Sequence, residues 1–335
     1  MLGLKFRLPV VLTAAFLVVF FLRVQQVGGL SDDFSNQDDG QDKVIRHDLS
    51  QRVEQLMPSP QAQLLSGILL GEKSNLPHSF TLALQNTSTI HIVVVSGQNL
   101  SLVAGFALSL VSLLGRKKTL ILASLIVLGY SYLTGFQIPV IRAALMVELG
   151  FAAQILGKDR EGIWILFVSG AAMLIYNPSW LLSISFQLSF MATFAVIAVA
   201  PEVIKTLGFI PEILKEDLGV SLAAQLLTWP IIAVNFHQFS VVGVLVNALV
   251  LWTVSFVMIS GAVALLVSFL FFGLGQIIAL LPGILLTYFV YVISFFNHLS
   301  FSNIKFPDVS PVCWVGYYLL LLGVFLHLRQ LGSKG

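Results

Sequence analysis

The stretch Ile277–Phe296 reads IIALLPGILLTYFVYVISFF and contains no charged side chain. At 1.5 Å per residue, a helix of this length crosses the roughly 30 Å hydrocarbon core of a bilayer. Similar apolar runs occur over Leu8–Leu22 and Leu120–Leu133. Charged residues make up only 10% of the 335-residue chain, whereas soluble domains contain about 25%. The composition therefore predicts a membrane protein that crosses the bilayer several times.

After about residue 90, the apolar pattern predicts an almost continuous series of membrane spans. We place them near residues 90–114, 119–134, 139–157, 162–176, 180–200, 218–236, 240–272, 276–299 and 311–328. The block 240–272 is too long for one straight crossing. Because Asn247, Trp252 and Thr253 interrupt its first half, we expect that half to be a broken or re-entrant helix.

The chain is predicted to have three parts. Residues 1–24 form an N-terminal membrane anchor in preference to a cleaved signal peptide, because no clear small-residue cleavage site precedes Gly28. Residues 25–57 form an acidic extracytoplasmic linker, which we expect to be solvated and disordered because six aspartates lie within Ser31–Asp48. Residues 58–330 form the transmembrane domain.

Two short segments at the start of the third part are predicted to be amphipathic helices at the membrane surface. Gln61–Gly71 has leucine and isoleucine at helical spacing, and Phe80–Thr87 is similar in length. Both are too short to cross the bilayer. The predicted fold class is therefore an all-α, polytopic transmembrane helix bundle of about ten spans, with broken or re-entrant helices and amphipathic surface helices.

The loop charges predict the orientation. Basic loops at 116–118, 158–160 and 205–215 alternate with loops nearly free of lysine and arginine at 135–138, 177–179 and 237–239. Short basic loops stay in the cytoplasm. We therefore expect a multi-pass protein of the inner (cell) membrane with both termini in the cytoplasm and the acidic linker outside.

A polar motif, HIVVVSGQN, begins at His91 inside an apolar region, where polar groups face a cavity or another helix. We expect His91 and Ser96 to lie in one helix, about 140° apart around its axis, so that they form no nucleophile pair within the motif. Ser96 and Gly97 permit a close backbone approach or a local break, while Gln98 and Asn99 supply donors and acceptors. Two interpretations stay open: a packing motif that joins helices, or a break that lines a substrate path.

Arg142 and Glu148 are the only charged residues well inside the predicted spans. Arg142 lies one turn below the outer surface, just after Pro139. This placement is unusual, because basic residues prefer the cytoplasmic side of the membrane. It either snorkels to the outer head groups or lines an outward-facing path where it contacts an anion. Glu148 lies six positions further on another face, so the two do not pair within the helix.

Further polar residues indicate a polar cavity in the bundle. They are Gln187, Gln225, His237 and Asn247, and Pro230 additionally leaves one carbonyl free and kinks its helix. The histidines have no metal-ligand spacing, so we expect neither a metal nor another cofactor. No residue is assigned a catalytic role.

Several stretches, in colinear order, resemble the competence domain of the ComEC family. They are LLSGILLGEKSNL (64–76), HIVVVSGQNLSLVAGF (91–106), GFQIPVIRAALM (135–146), FQLSFMAT (186–193) and SLAAQLLTWPIIAVNFHQFSVVGVLVNAL (221–249). The resemblance implies that residues 58–330 are a competence-type transmembrane channel domain, which admits single-stranded DNA through the inner membrane during natural transformation. The expected substrate path contains His91, Ser96, Gly97, Gln98, Asn99, Arg142, Gln187, Gln225, His237 and Asn247.

The chain departs from the family pattern in two ways. Family members usually have Ser-Gly-Leu-His-Val-Gly in the second motif, whereas Gln98-Asn99-Leu100-Ser101 follow Ser-Gly here, so any role of that histidine is lost. Residues 25–60 are too few for the OB-fold that family members often carry, and no metallo-β-lactamase-like domain follows. We therefore expect the channel domain alone, which would need a separate nuclease.

The expected function is that of a channel and not of an enzyme. No ATP-binding loop is present, so the energy must come from a partner or a gradient. Expected partners are single-stranded DNA, the lipid bilayer, a DNA-binding receptor, a helicase or ATPase, and the separate nuclease; the sequence leaves the oligomeric state open. The alternative is a diverged permease for another small or lipid-linked substrate. An intramembrane enzyme would need His91 or His237 within hydrogen-bond reach of Ser96.

We predict that labelling from the cytoplasm reaches both termini and the loop at 115–118, while the acidic linker is labelled from outside. The reason is the alternation of basic loops. Cysteine accessibility scanning measures this orientation directly. A label that reached residue 117 only from outside would overturn the whole topology.

Overall fold

The structure, a computed structural model, describes residues 15–27, 41–72, 76–93, 96–159, 161–208, 211–236, 238–240, 242–299, 303–305 and 311–332. The α-helices are α1 (Ala15–Gln26), α2 (Gln41–Leu56), α3 (Gln61–Leu70), α4 (His78–Asn86), α5 (Ile90–Val93), α6 (Gly97–Ser109), α7 (Val111–Leu114), α8 (Arg116–Leu133), α9 (Ile138–Ile155), α10 (Gly162–Tyr176), α11 (Ile184–Phe194), α12 (Ala200–Thr206), α13 (Glu212–Phe236), α14 (Gly243–Leu270), α15 (Phe272–Asn297) and α16 (Pro311–Gly332). The predicted all-α fold class is confirmed.

Four short elements complete the described chain. A 3₁₀ helix over Pro178–Leu182 precedes α11, and a π-helical turn over Ala195–Val199 joins α11 to α12. The strands β1 (Gln238–Ser240) and β2 (Asn303–Lys305) pair antiparallel. They connect the start of α14 with the segment that follows α15.

Helices long and apolar enough to cross a membrane number six in the described ranges. They are Gly97–Leu114, Ile138–Ile155, Ile184–Thr206, Lys215–Phe236, Gly243–Leu270 and Phe272–Asn297. Shorter apolar helices cover Ala15–Gln26, Gln61–Leu70, Gly162–Tyr176 and Val312–Leu326. The structure is thus a helical membrane bundle, and the count of about ten spans stays a prediction.

The largest apolar core forms where α3 packs between α14 and α15. Leu65 of α3 is fully buried, as are Leu286 and Ile293 of α15. A Cβ atom added at Gly261 of α14 would lie only 2.5 Å from Leu65 Cδ1, so the glycine permits the close approach. Small residues at helix contacts are expected where packing, not water, drives association.

The helix α3 does not lie at the membrane surface as the sequence suggested. Eight of its ten residues are buried, because its apolar side chains pack against α14 and α15 in the largest core. The helix α4 does present one buried face, formed by Phe80, Ala83 and Leu84.

The predicted disordered linker is wrong for its second half, since residues 41–56 form α2. The side chains of Arg46, Ser50, Val53 and Met57 are buried, and their spacing of four, three and four residues makes one helical face. Ser50 Oγ donates to Ser66 Oγ of α3 at 3.1 Å. The first half of the linker, up to residue 40, lies largely outside the described residues.

The predicted break in the block 240–272 is also wrong, because α14 runs without interruption for 28 residues. Thr253 is fully buried but donates to the Val250 carbonyl at 2.7 Å, so its hydroxyl is satisfied within the helix. A helix of this length extends about 42 Å, and tilting accommodates the excess over the hydrocarbon thickness.

The proline inside α13 has a partner in α16. Pro230 has no N–H, so the carbonyl of Leu226, four residues earlier, lacks its helical donor. Tyr317 Oη donates to that carbonyl at 3.0 Å, and Tyr318 Oη donates to the Leu227 carbonyl at 2.9 Å. These two bonds attach the last helix to the bundle at the point where α13 needs a donor.

We predict that Tyr317→Phe lowers the free energy of unfolding by about 1 kcal/mol, because the Leu226 carbonyl then has no donor. In a Pro230→Ala background the backbone N–H returns, so the same change should cost less. Melting temperatures of the single and double variants in detergent measure the coupling. Tyr318→Phe is the matched control, since the Leu227 carbonyl keeps its helical N–H donor. An equal loss in both backgrounds would contradict this role of Tyr317.

Candidate functional site

The polar motif lies at an interruption between two helices. The helix α5 ends at Val93, α6 begins at Gly97, and Ser96 between them has extended backbone, with φ −102° and ψ 165°. His91 and Ser96 therefore do not share one helix, and that prediction is wrong. Consecutive valines and a serine–glycine pair are poor helix formers, and serine favours the position before a helix.

Asn99 connects α6 with the buried helix α3. Its side chain is 1% exposed, and Nδ2 donates to the Ile68 carbonyl at 2.9 Å. Ile68 lies in the last turn of α3, where carbonyls have no intrahelical donor. Ser96 Oγ donates to Asn99 Oδ1 at 3.2 Å, so the Ser96 hydroxyl is used in this contact. Gln98 and His91, by contrast, have exposed side chains.

Arg142 of α9 reaches the first residue of α6. Its side chain is 7% exposed, and a Cβ atom added at Gly97 would lie 2.6 Å from Arg142 Nη2. The guanidinium carbon lies 6.0 Å from the centre of the Phe190 ring of α11, at the outer limit of a cation–π contact. The buried Nε has no hydrogen-bond partner among the described residues. We call Ser96–Asn99 together with Arg142 the junction.

Glu148, the other charged residue of α9, faces a different neighbour. Ser124 Oγ of α8 donates to Glu148 Oε2 at 2.5 Å. The second carboxylate oxygen, Oε1, is buried and has no hydrogen-bond partner in the described ranges. No ion pair between Glu148 and Arg142 is present in that part of the chain, as their separation along α9 predicts.

A groove of about 400 Å³ lies beside Phe190. It is lined by Leu181, Phe186, Gln187, Phe190, Met191, Ile231 and Tyr318. Phe186 and Phe190 stack with ring centres 4.3 Å apart. Gln187 Nε2 donates to the Leu181 carbonyl at 3.0 Å. The groove is therefore apolar apart from one amide and one hydroxyl, and its Phe190 wall separates it from Arg142.

The remaining predicted path residues lie in another part of the bundle. Gln225 Nε2 of α13 donates to the Ser240 carbonyl of β1 at 3.2 Å. Asn247 of α14 has a buried Oδ1 without a hydrogen-bond partner among the residues that the structure describes. His237 lies outside the described residues. Within them, no hydrogen bond joins Gln225 or Asn247 to the junction.

Two contacts of α3 next to the junction were not predicted from the sequence. A Cβ atom added at Gly67 would lie 2.5 Å from Val93 Cγ1, which brings α3 directly against the end of α5. Gln137 Nε2 donates to the Gly71 carbonyl at 3.2 Å. The spacing Gly67-x-x-x-Gly71 is the small-residue pattern of close helix packing, and this signal would have indicated that α3 is an internal helix.

The side chains that could ligate a metal do not cluster in the described part of the chain. No group of three or more histidine, cysteine, aspartate or glutamate side chains comes together there. The junction instead offers donors: one guanidinium, the first-turn amides of α6, and the side chain of Gln98. Chemically, this arrangement is suited to an anion.

Comparison with known proteins assigns the family. The family model described as Competence protein matches residues 68–331. The chain belongs to the competence protein family. The match begins in α3 and includes the junction, Phe190 and the α13–α16 contact, so the resemblance to the ComEC family is confirmed.

Curated relatives of this competence-family chain come from several organisms. It is 28% identical over 226 residues to ComE operon protein 3 of Bacillus subtilis (strain 168), which covers 66% of this chain and 28% of that protein. It is 29% identical over 296 residues to an uncharacterized protein of Aquifex aeolicus (strain VF5), which covers 87% of this chain and 67% of that protein.

A third relative shows the same partial coverage. The uncharacterized protein YcaI of Escherichia coli (strain K12) is 27% identical over 220 residues, which cover 60% of this chain and 28% of YcaI. The chain thus spans little more than a quarter of ComE operon protein 3 and of YcaI. No solved structure is significantly similar to this competence-family chain.

We predict that Asn99→Leu lowers the free energy of unfolding by about 1 kcal/mol, because the Ile68 carbonyl loses its donor inside the bundle. Gln98→Leu should leave stability unchanged, since its side chain is exposed. Melting temperatures of the two variants in the same detergent test this difference. Equal losses would show that Asn99 does not connect α6 to α3 in the way described.

Proposed function

We propose that this chain forms the membrane passage for single-stranded DNA in natural transformation. Membership of the competence protein family and the helices long enough to cross a membrane support this proposal. The passage would run past the junction, where the chain is non-helical at Ser96 between α5 and α6 and Arg142 of α9 meets the first residue of α6. Interrupted helices inside membranes occur where protein or a water-filled cavity covers the freed backbone.

Arg142 is the observation that carries the proposal. A buried cation without a carboxylate partner is unfavourable in an apolar region, and ionisable groups inside membranes commonly mark a substrate path. A DNA strand offers one negative phosphate per nucleotide, so each phosphate that passes would neutralise Arg142 in turn. Contacts to phosphates are independent of sequence, as uptake of arbitrary DNA requires.

The passage would act with partners and not as an enzyme. The sequence has no ATP-binding loop, so a helicase or ATPase, or an ion gradient, would drive movement. A DNA-binding receptor would deliver the strand, and a separate nuclease would degrade its complement. The Ser96 hydroxyl, the candidate nucleophile of the motif, is engaged with Asn99 in the described structure.

The apolar groove beside Phe190 favours a second candidate, a permease for a small or lipid-linked substrate. Its stacked pair Phe186–Phe190 and its neighbours Leu181 and Met191 suit a hydrocarbon chain more than a nucleotide. A deletion strain separates the two functions. Loss of transformation with an unchanged lipid profile supports the DNA passage, and the reverse supports the permease.

We predict that Arg142→Ala reduces transformation by about tenfold, the equivalent of 1.4 kcal/mol and close to the value of one charge-assisted hydrogen bond. Arg142→Lys should retain more activity, because a mobile phosphate needs charge rather than a bidentate fork. The measurement is the transformation frequency of a deletion strain that expresses each variant, together with nuclease-resistant uptake of labelled DNA.

Two controls make this experiment decisive. Arg116→Ala removes a positive charge from an exposed position and should leave uptake unchanged. Immunoblots of membranes and melting temperatures confirm that each variant inserts and folds. Unchanged uptake in Arg142→Ala would end the path hypothesis for this residue, while equal losses with alanine and lysine would indicate a fixed bidentate partner.

A further inference from the structure

Two positive features meet at the junction. A Cβ atom added at Gly97, the first residue of α6, would lie 2.6 Å from Arg142 Nη2, so the guanidinium stands at the N-terminus of that helix. An α-helix carries about half a positive elementary charge at this end. The guanidinium and the helix end therefore repel each other until an anion lies between them.

The placement of Arg142 is the reverse of that of two other arginines. Arg23 donates to the Ile175 carbonyl at the C-terminus of α10, at 2.9 Å. Arg52 donates to the Ser268 carbonyl near the C-terminus of α14, at 2.6 Å. Cations stabilise helix C-termini, where the dipole is negative. Helix capping thus explains Arg23 and Arg52 but does not explain Arg142.

Two kinds of hydrogen-bond donor at the junction have no acceptor within the described part of the chain: Arg142 Nε and the first-turn amides of α6. Arg142 is 7% exposed, and its buried Nε has no partner there. The first-turn amides of Gly97, Gln98 and Asn99 have no acceptor in the same part. The Ser96 side chain, which would ordinarily cap these amides, donates to Asn99 Oδ1 instead.

We propose that the junction binds a single phosphate group, held between the Arg142 guanidinium and the first-turn amides of Gly97, Gln98 and Asn99. Helix N-termini bind phosphate through such amides, and a guanidinium matches two phosphate oxygens. The identification of the phosphate as that of DNA rests on the proposed function. A phospholipid head group offers the same chemistry, so the experiment distinguishes the two sources.

The first measurement is the melting temperature of the full chain in dodecyl maltoside, a detergent without phosphate, titrated with inorganic phosphate. Phosphate raises the melting temperature of the wild type, and Arg142→Gln weakens the apparent affinity about tenfold or more. Arg52→Gln is the matched control, because Arg52 also contacts aromatic rings, those of Phe269 and Phe272, but lies away from α6. Equal phosphate affinity in Arg142→Gln and the wild type overturns the proposal.

A pair of glycine variants tests the geometry without removing the charge. Gly97→Ala inserts a methyl group where Arg142 Nη2 lies, so the guanidinium must move away from the helix end. Gly105→Ala changes the same helix at a position where nothing lies within 4 Å of the added Cβ. Phosphate binding should weaken in Gly97→Ala and persist in Gly105→Ala. Undiminished binding in Gly97→Ala contradicts the placement.

The source of the phosphate is distinguished by two further probes. A fluorescent single-stranded oligothymidine should bind and be displaced by inorganic phosphate, whereas its uncharged methylphosphonate analogue should not bind. If a lipid is the occupant, phosphatidylglycerol raises the melting temperature of the wild type but not of Arg142→Gln, and the oligonucleotide does not compete. Binding of the methylphosphonate analogue as tight as that of the phosphodiester counts against the phosphate site.

Failure of this inference differs from failure of the proposed function. If phosphate binding depends on Arg142 but deletion of the chain leaves transformation unchanged, the phosphate site is supported and the DNA passage is rejected. If transformation requires the chain but Arg142→Gln leaves phosphate binding unaffected, the DNA passage is supported and the phosphate site is rejected.

Discussion

The structure depends on one constraint: a carbonyl that loses its helical donor inside a membrane must find another donor, because no water is available there. The bundle meets this constraint with side chains from neighbouring helices. Asn99 donates to Ile68 at the end of α3, and Tyr317 donates to Leu226 above Pro230. Each of these bonds also joins two helices. The same hydrogen bond therefore pairs a backbone carbonyl and holds two helices of the bundle together.

This constraint separates structural polar groups from the functional candidate. The side-chain amides of the buried Asn99 and the partly buried Gln225 each have a backbone carbonyl as partner, so both are accounted for by packing. Arg142 differs, because its buried Nε has no hydrogen-bond partner and its guanidinium forms no ion pair within the described ranges. Glu148 Oε1 and Asn247 Oδ1 also lack partners there, but neither belongs to a cation, so the buried positive charge is what sets Arg142 apart.

Long helices were predictable because their apolar runs are longer than any soluble helix requires, as in α15. The sequence was less informative about which short helices are internal. Burial of α3 depends on Gly67 and Gly261, which permit contact with α5 and α14, and such tertiary contacts leave no periodic pattern. In the predicted path, the pairing of Gly97 with Arg142 was not predictable either, since it requires the relative placement of α6 and α9.

The contact between Tyr317 and Leu226 joins residues 91 positions apart in the chain. A ribosome that adds about 5–20 residues per second needs roughly 5 to 18 seconds to synthesise that interval. During this time α13 contains Pro230 but lacks the donor that the Leu226 carbonyl finally receives. The last helix therefore completes the hydrogen bonding of a helix made several seconds earlier, and the order of synthesis makes α16 the closing element of this part of the bundle.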